Sequence, residues 1–275
     1  MTNYRMISLY SGSSGNAFLL VTPRARILID AGKNARALTN ALNEVGCPIE
    51  TIDAIFITHD HCDHTAALPV LLKRHPLPVH AVEASAQVIA RGAPQYVTDC
   101  LCRHTPLFCE TVGDVTVRSY ITPHDSEFSV GYRMEIAGAD GELHTVGYAT
   151  DLGYVTDDVR GALLGCESVI LECNHDKEML LTGPYPYHLK ERILSRYGHL
   201  SNDDCAAFAG ELVESGTRHL MLAHLSEQNN DPSLAYNEVL VSIGRDDVSL
   251  CVAAPDHPVE LPTLVANEAK EAPVC

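Results

Sequence analysis

The sequence predicts one α/β domain on three observations. Strand-like and helix-like segments alternate along the 275 residues, no linker or repeat interrupts them, and no stretch is of low complexity. A hydrophobic fraction of 46%, with glycine and proline scattered, excludes a fibrous or disordered chain. Periodicity fades after Pro258, so the domain is expected over residues 1–258 and a poorly ordered tail over 259–275, frayed from Glu268 onward.

Residues 6–10 and 17–21 read as strands about the polar turn 11–16, and 26–30 as a third strand of a meander before Gly32. Residues 35–45 have helical spacing, 54–58 form a short apolar strand, and 66–74 read as a helix stopped by Pro76. Further strands are expected at 79–81, 115–121, 129–136 and 143–149, and helices at 156–163, 188–197 and 203–214. A last clear strand, 220–223, precedes a helix over 233–243.

The first ten residues carry one cation, Arg5, and run into a strand, unlike a signal peptide, and no apolar run is long enough to span a bilayer. A cytoplasmic protein without membrane contact is therefore expected. Its 10 cysteines then read mostly as buried thiols; Cys100, Cys102 and Cys109 hint at a cluster, but no matching CxxC half accompanies them. The net charge of -17 opposes nucleic acid at long range, so such a substrate needs a local basic patch or bound divalent cations.

Chemistry concentrates in His59-Asp60-His61-Cys62-Asp63-His64, directly after the strand 54–58. In a strand-to-helix loop His59 and His61 can point one way while Asp63 and His64 wrap around. That offers two nitrogens to one ion and a mixed pair to another. Cys62 reads as a neighbour. His124, Asp151 and His224 each follow a β-rich segment. Any one alone reads as an ordinary loop residue, so the inference rests on the ordered set.

That ordered set resembles the metallo-β-lactamase superfamily, with its HxHxDH motif followed by His, Asp and a final His, over nearly the whole chain. The resemblance implies a four-layer αββα sandwich with two divalent ions, zinc, manganese or iron, at one edge of the sheets. It assigns His59, His61 and His124 to one ion, Asp63, His64 and His224 to the other, and Asp151 to bridging. Asp30 matches an early outer aspartate, with a plain turn former as the alternative.

Four segments, 11–16, Asn174-His175-Asp176, 183–187 and Gly198-His199-Leu200-Ser201-Asn202, are similar to the YycJ/WalJ group of exonucleases. This implies a DNA substrate and 5′ to 3′ exonuclease action. Gly198-His199 and Ala223-His224-Leu225-Ser226 also resemble the superfamily's tRNA 3′-processing endonucleases, which implies that His199, paired with Glu172, acts near the leaving group. The catalytic expectation is that Asp63 orients a water between ions about 3.5–4 Å apart while His199 protonates the departing oxygen. The alternative for His199 is a helix-entry residue beside Ser201 and Asn202.

Ser13, Ser14 and Asn16 are expected to hold phosphate, although a Gly/Ser turn looks alike. Tyr185 and Tyr187, followed by Lys190, Arg192 and Arg196, suit base stacking and phosphate contacts, against the alternative of a solvated helix face. The chain departs from other branches of the superfamily. No β-CASP insertion fits between Asp151 and His224, no Gly-rich arm between His124 and Asp151, and no helical domain of the glyoxalase II kind after His224. A small-molecule phosphodiesterase or thioesterase, and a non-catalytic metal-binding module, remain the alternative functions.

Overall fold

Two mixed seven-stranded sheets form the centre of the computed structural model, which describes residues 4–138 and 141–262. The first sheet holds β1 (Arg5–Tyr10), β2 (Ala17–Val21), β3 (Arg26–Ile29), β4 (Ala54–Phe56), β5 (Val79–Val82) and β6 (Leu101–His104) side by side. The second holds β7 (Cys109–Val112), β8 (Val115–Ile121), β9 (Val130–Ala137), β10 (Leu143–Ala149), β11 (Ser168–Glu172), β12 (His219–Ala223) and β13 (Ser249–Val252). β14 (Val259–Glu260) returns to pair antiparallel with β1.

Each sheet begins as an antiparallel meander and continues as parallel strands from β3 and from β10. Parallel neighbours require crossovers, and most of these carry helices. Along the first half these are α1 (Ala35–Glu44), α2 (Cys62–Thr65), α3 (Leu68–Arg74), α4 (Glu83–Ala90) and α5 (Gln95–Thr98). The second half adds α6 (Asp157–Leu163), α7 (Lys177–Thr182), α8 (Tyr187–Ile193), α9 (Asn202–Ser215) and α10 (Pro232–Ile243).

Strand alternation sends Phe18, Ile27 and Phe56 to meet Val117, Tyr132 and Ile170 between the sheets. The opposite face of the first sheet, with Leu19, Leu28 and Ile55, packs under Leu38, Leu42 and Leu71 of the helices. Leu171, Leu220 and Leu222 do the same beneath Val159, Leu212 and Val239. Three apolar interfaces make four layers, the αββα sandwich that the resemblance implied.

The differences from expectation have local causes. β11 is buried along its whole length, so its five residues carry no alternation to mark a strand. The expected helix 66–74 is α3, which begins at Leu68, and a separate short helix, α2, precedes it within the His59–His64 motif. The expected helix 188–197 stops at Ile193. There Gly198 folds back over the helix end, where a Cβ would lie 2.1 Å from the Ile193 carbonyl oxygen. Residues 259–261, expected to open the tail, belong to the fold: β14 extends the first sheet and Leu261 is buried. Residues 263–275 of that tail lie outside the described residues.

Candidate metal centre

The site gathers at strand ends. His59, His124, Asp151 and His224 follow β4, β8, β10 and β12 within three residues, and Glu172 closes β11. Asp30, Asp151 and His224 hold φ of 64°, 60° and 58°. That left-handed backbone costs a non-glycine residue about 1–3 kcal/mol, and it persists only where surrounding contacts impose it.

Side chains bind one nitrogen of several imidazoles and leave the other facing the site. The His64 Nδ1–H donates to Asp30 Oδ2 at 2.8 Å, while the Thr58 hydroxyl and backbone N–H also donate to that buried carboxylate. With its proton given to Asp30, the Thr58 hydroxyl accepts from His59 Nδ1 at 3.1 Å. His124 Nδ1 donates to the Gly198 carbonyl at 3.2 Å. Such outer partners fix tautomer and ring orientation in metal sites.

Two sets of donor atoms converge within 4.8 Å: His59, His61 and His124 in one, Asp63, His64 and His224 in the other. Asp151 joins them. Its Oδ2 lies 3.4 Å from His64 Nε2, and its Oδ1 lies 3.5 Å from His224 Nε2 and 3.7 Å from His124 Nε2. His59 Nε2, His224 Nε2 and Asp151 Oδ2 are buried without a hydrogen-bond partner. Each such group costs about 1–3 kcal/mol unless something satisfies it. Nitrogen and carboxylate donors, bare and convergent, fit divalent metal ions.

Electrostatics agree with this fit. Burial, with the neighbouring His64, pushes His59 well below the usual imidazole range and keeps it neutral. Burial opposes charge on Asp63, yet the neighbouring His224 and His64 imidazoles hold its carboxyl well below the usual carboxylate range. Burial likewise opposes a proton on His224, but Asp151, Asp63 and Glu172 push its pKa up to about 10. Protons on His224 and His64 thus balance buried carboxylates where an ion would otherwise do so, and ion binding must displace them.

A family profile described as a β-lactamase superfamily domain matches residues 25–225. The chain belongs to this superfamily. Among its members, the chain is 34% identical to exodeoxyribonuclease WalJ of Streptococcus pneumoniae over 248 residues, covering 89% of this chain and 90% of that protein. It is also 34% identical to exodeoxyribonuclease YycJ of Bacillus anthracis, covering 82% of this chain and 84% of that one. The crystal structure of the metallo-β-lactamase fold protein YhfI from Bacillus subtilis superposes with a TM-score of 0.69 at 20% identity, over 94% of this chain and 99% of that one.

Beside these convergent donor sets stands a histidine and glutamate pair. His199 Nδ1 lies 2.7 Å from Glu172 Oε1, and Glu172 Oε2 accepts the Leu152 and Leu200 N–H groups at 2.6 and 3.2 Å. Burial would raise the Glu172 pKa, but His199 and His224 hold it down at about 2. His199, Arg192 and Ser13 line a cavity of about 350 Å³ together with His61, Asp63, His124, Asp151 and His224.

The other expected substrate residues are placed differently. Asn16 is buried, with its amide 3.2 Å from Asp63 Oδ2 and 3.0 Å from His64 Nε2, so it braces two donor residues. Ser14 accepts from Lys33 Nζ at 2.6 Å. Lys190 donates to the Leu181 and Gly183 carbonyls and ties α8 to the end of α7. Tyr187 is 75% exposed, and neither it nor Tyr185 lines the cavity. The Arg196 guanidinium stacks 4.4 Å over Tyr154.

Sequence reasoning missed Asp125, which pairs bidentately with Arg192 and lies 3.4 Å from His124 Nε2. It also missed Tyr154 and Tyr197, which line a cleft of about 290 Å³ that shares His124 with the cavity. Adjacency to His124 marked Asp125. Nothing local marked the tyrosines.

Proposed function

We propose that the protein is an exodeoxyribonuclease that hydrolyses phosphodiester bonds with two divalent ions, working 5′ to 3′ in the cytoplasm. The observation that carries this reading is that both donor groups meet at Asp151 in the same cavity that His199 and Arg192 line. The likeness of most of the chain to two exodeoxyribonucleases supports DNA as the substrate.

His59, His61 and His124 would hold one ion, Asp63, His64 and His224 the other, with Asp151 between. Zinc, manganese or iron bound there would offset phosphate charge and acidify the attacking water. Asp63 faces the cavity with a carboxylate that stays ionised, so it can accept a hydrogen bond from that water and orient it. Glu172 fixes Nδ1 of His199 and leaves Nε2 to deliver a proton to the departing oxygen. Arg192, held by Asp125, presents a guanidinium to a phosphate oxygen, and Ser13 a hydroxyl. Tyr154 and Tyr197 line the neighbouring cleft, where a base could stack, and Arg196 stacks on Tyr154.

The net charge of -17 favours a second reading, a small phosphodiester or thioester as substrate. The test is a side-by-side assay of metal-loaded protein on 5′- and 3′-labelled single- and double-stranded DNA, bis-p-nitrophenyl phosphate and a thioester, with Asp63→Ala as control. Mononucleotide release from 5′ ends, absent in the control, is expected. Turnover of the small esters alone would move the assignment to the second reading.

A further inference from the structure

A second group of convergent donors lies outside the catalytic cavity. His80 on β5, His104 on β6 and Glu110 on β7 place one donor atom each within 4.8 Å of the others. Their strands come from different sheets, since β6 is the last strand of the first sheet and β7 the last of the second. Register shows that all three point between the sheets. His80 alternates with Ala81, which packs outward under the helices; His104 pairs with Val82 and Glu110 with Val117, both in the inter-sheet core.

His80 Nδ1 and His104 Nε2 are 3.0 Å apart, and Glu110 Oε1 lies 3.7 Å from the other His104 nitrogen, Nδ1, with one donor atom of each of the three residues still within 4.8 Å of the others. Two nitrogens on one tetrahedral zinc, each about 2.0–2.1 Å from the ion, are separated by roughly 3.3 Å, so the observed spacing needs only a few tenths of adjustment. Each imidazole stacks on a phenylalanine, His80 on Phe56 with centroids 4.5 Å apart and His104 on Phe108 at 4.2 Å, and the two pairs lie side by side in a two-by-two stack, the imidazoles 5.1 Å and the phenylalanines 6.4 Å apart. That stack fixes their planes before any ion arrives. His80 is nearly buried, whereas the Glu110 side chain is 40% exposed, which gives an ion a way in.

We propose that His80, His104 and Glu110 form a separate zinc site that clamps the edges of the two sheets together. Two imidazoles and a carboxylate are a donor set suited to zinc, with a water completing four-coordination. Burial pushes both imidazoles below their ordinary range, which leaves them in the neutral form that binds metal near pH 7. Without an ion the same pair makes an N–H···N bond. The proposal is independent of the catalytic reading, because none of its residues lines that cavity.

Equilibrium dialysis of the full chain against Zn²⁺, with ions per chain counted by mass spectrometry, tests it. Wild type is expected to bind one ion more than His104→Gln and one more than Glu110→Gln, while both variants keep wild-type hydrolytic turnover. Equal counts in all three proteins overturn the proposal. Should a variant fold poorly, anomalous scattering at the zinc edge from zinc-soaked wild-type crystals decides instead. A peak between His80 and His104 is expected, and none there sinks the site.

Discussion

Glu172 serves two histidines at once: its Oε1 lies 2.7 Å from His199 Nδ1 and 3.2 Å from His224 Nδ1. Two variants are therefore distinguishable. His199→Ala should lower single-turnover DNA hydrolysis by about 10²–10⁴-fold with ion content intact, the range for losing a general acid. Glu172→Gln should lower the rate and also weaken ion binding by about 10–100-fold, because His224 loses its partner. Rates measured beside ion content would refute the shared role if Glu172→Gln bound ions as wild type does. At this scale the cluster of donor side chains was legible because His59, His61, Asp63 and His64 are nearly consecutive. The Gly198 carbonyl reaches His124 from 74 residues away, so no local pattern announces it.

Among the elements, the turn after α8 carries a consequence for the site. Gly198 sits where a Cβ would lie 2.1 Å from the Ile193 oxygen and 2.3 Å from the Arg192 oxygen, and its own carbonyl orients His124. Gly198→Ala should destabilise the fold by about 1–3 kcal/mol in urea unfolding, as overpacking does, and depress turnover by displacing His124 and His199. Unchanged stability would mean that the turn relaxes freely. On α10, burial and the Asp203 carboxylate push Glu238 up to about 7. A carboxyl raised in the folded state contributes stability below its ordinary value near 4.5, and that contribution is lost as pH rises through 7. Glu238→Gln should accordingly melt above wild type at pH 8 and show no gain at pH 4.5; the reverse order would exclude this origin. Amphipathic helices such as α1 were legible from spacing, whereas β11, buried on both faces, and the edge strands β6 and β7, rich in polar residues, were not.

For the whole molecule, the sandwich was legible once the ordered set of histidines and aspartates was read, since His59, His124, Asp151 and His224 follow the ends of strands in both sheets. The pairing of sheet edges at β6 and β7 was not, because it depends on contacts between distant strands. A chain of net charge -17 can hold DNA only where ions and Arg192 reverse the local sign. Removing the ions should therefore abolish DNA binding in fluorescence anisotropy, and returning them should restore it. Undiminished binding by the stripped protein would place the DNA on another surface. The central claim, phosphodiester hydrolysis at one centre joined by Asp151, is tested most directly by mononucleotide release from 5′-labelled DNA as divalent ions are returned to chelator-stripped protein. No release without ions, recovery on reloading, and no recovery in Asp151→Asn are expected. Release by the stripped protein, or recovery in Asp151→Asn equal to that of wild type, would contradict it.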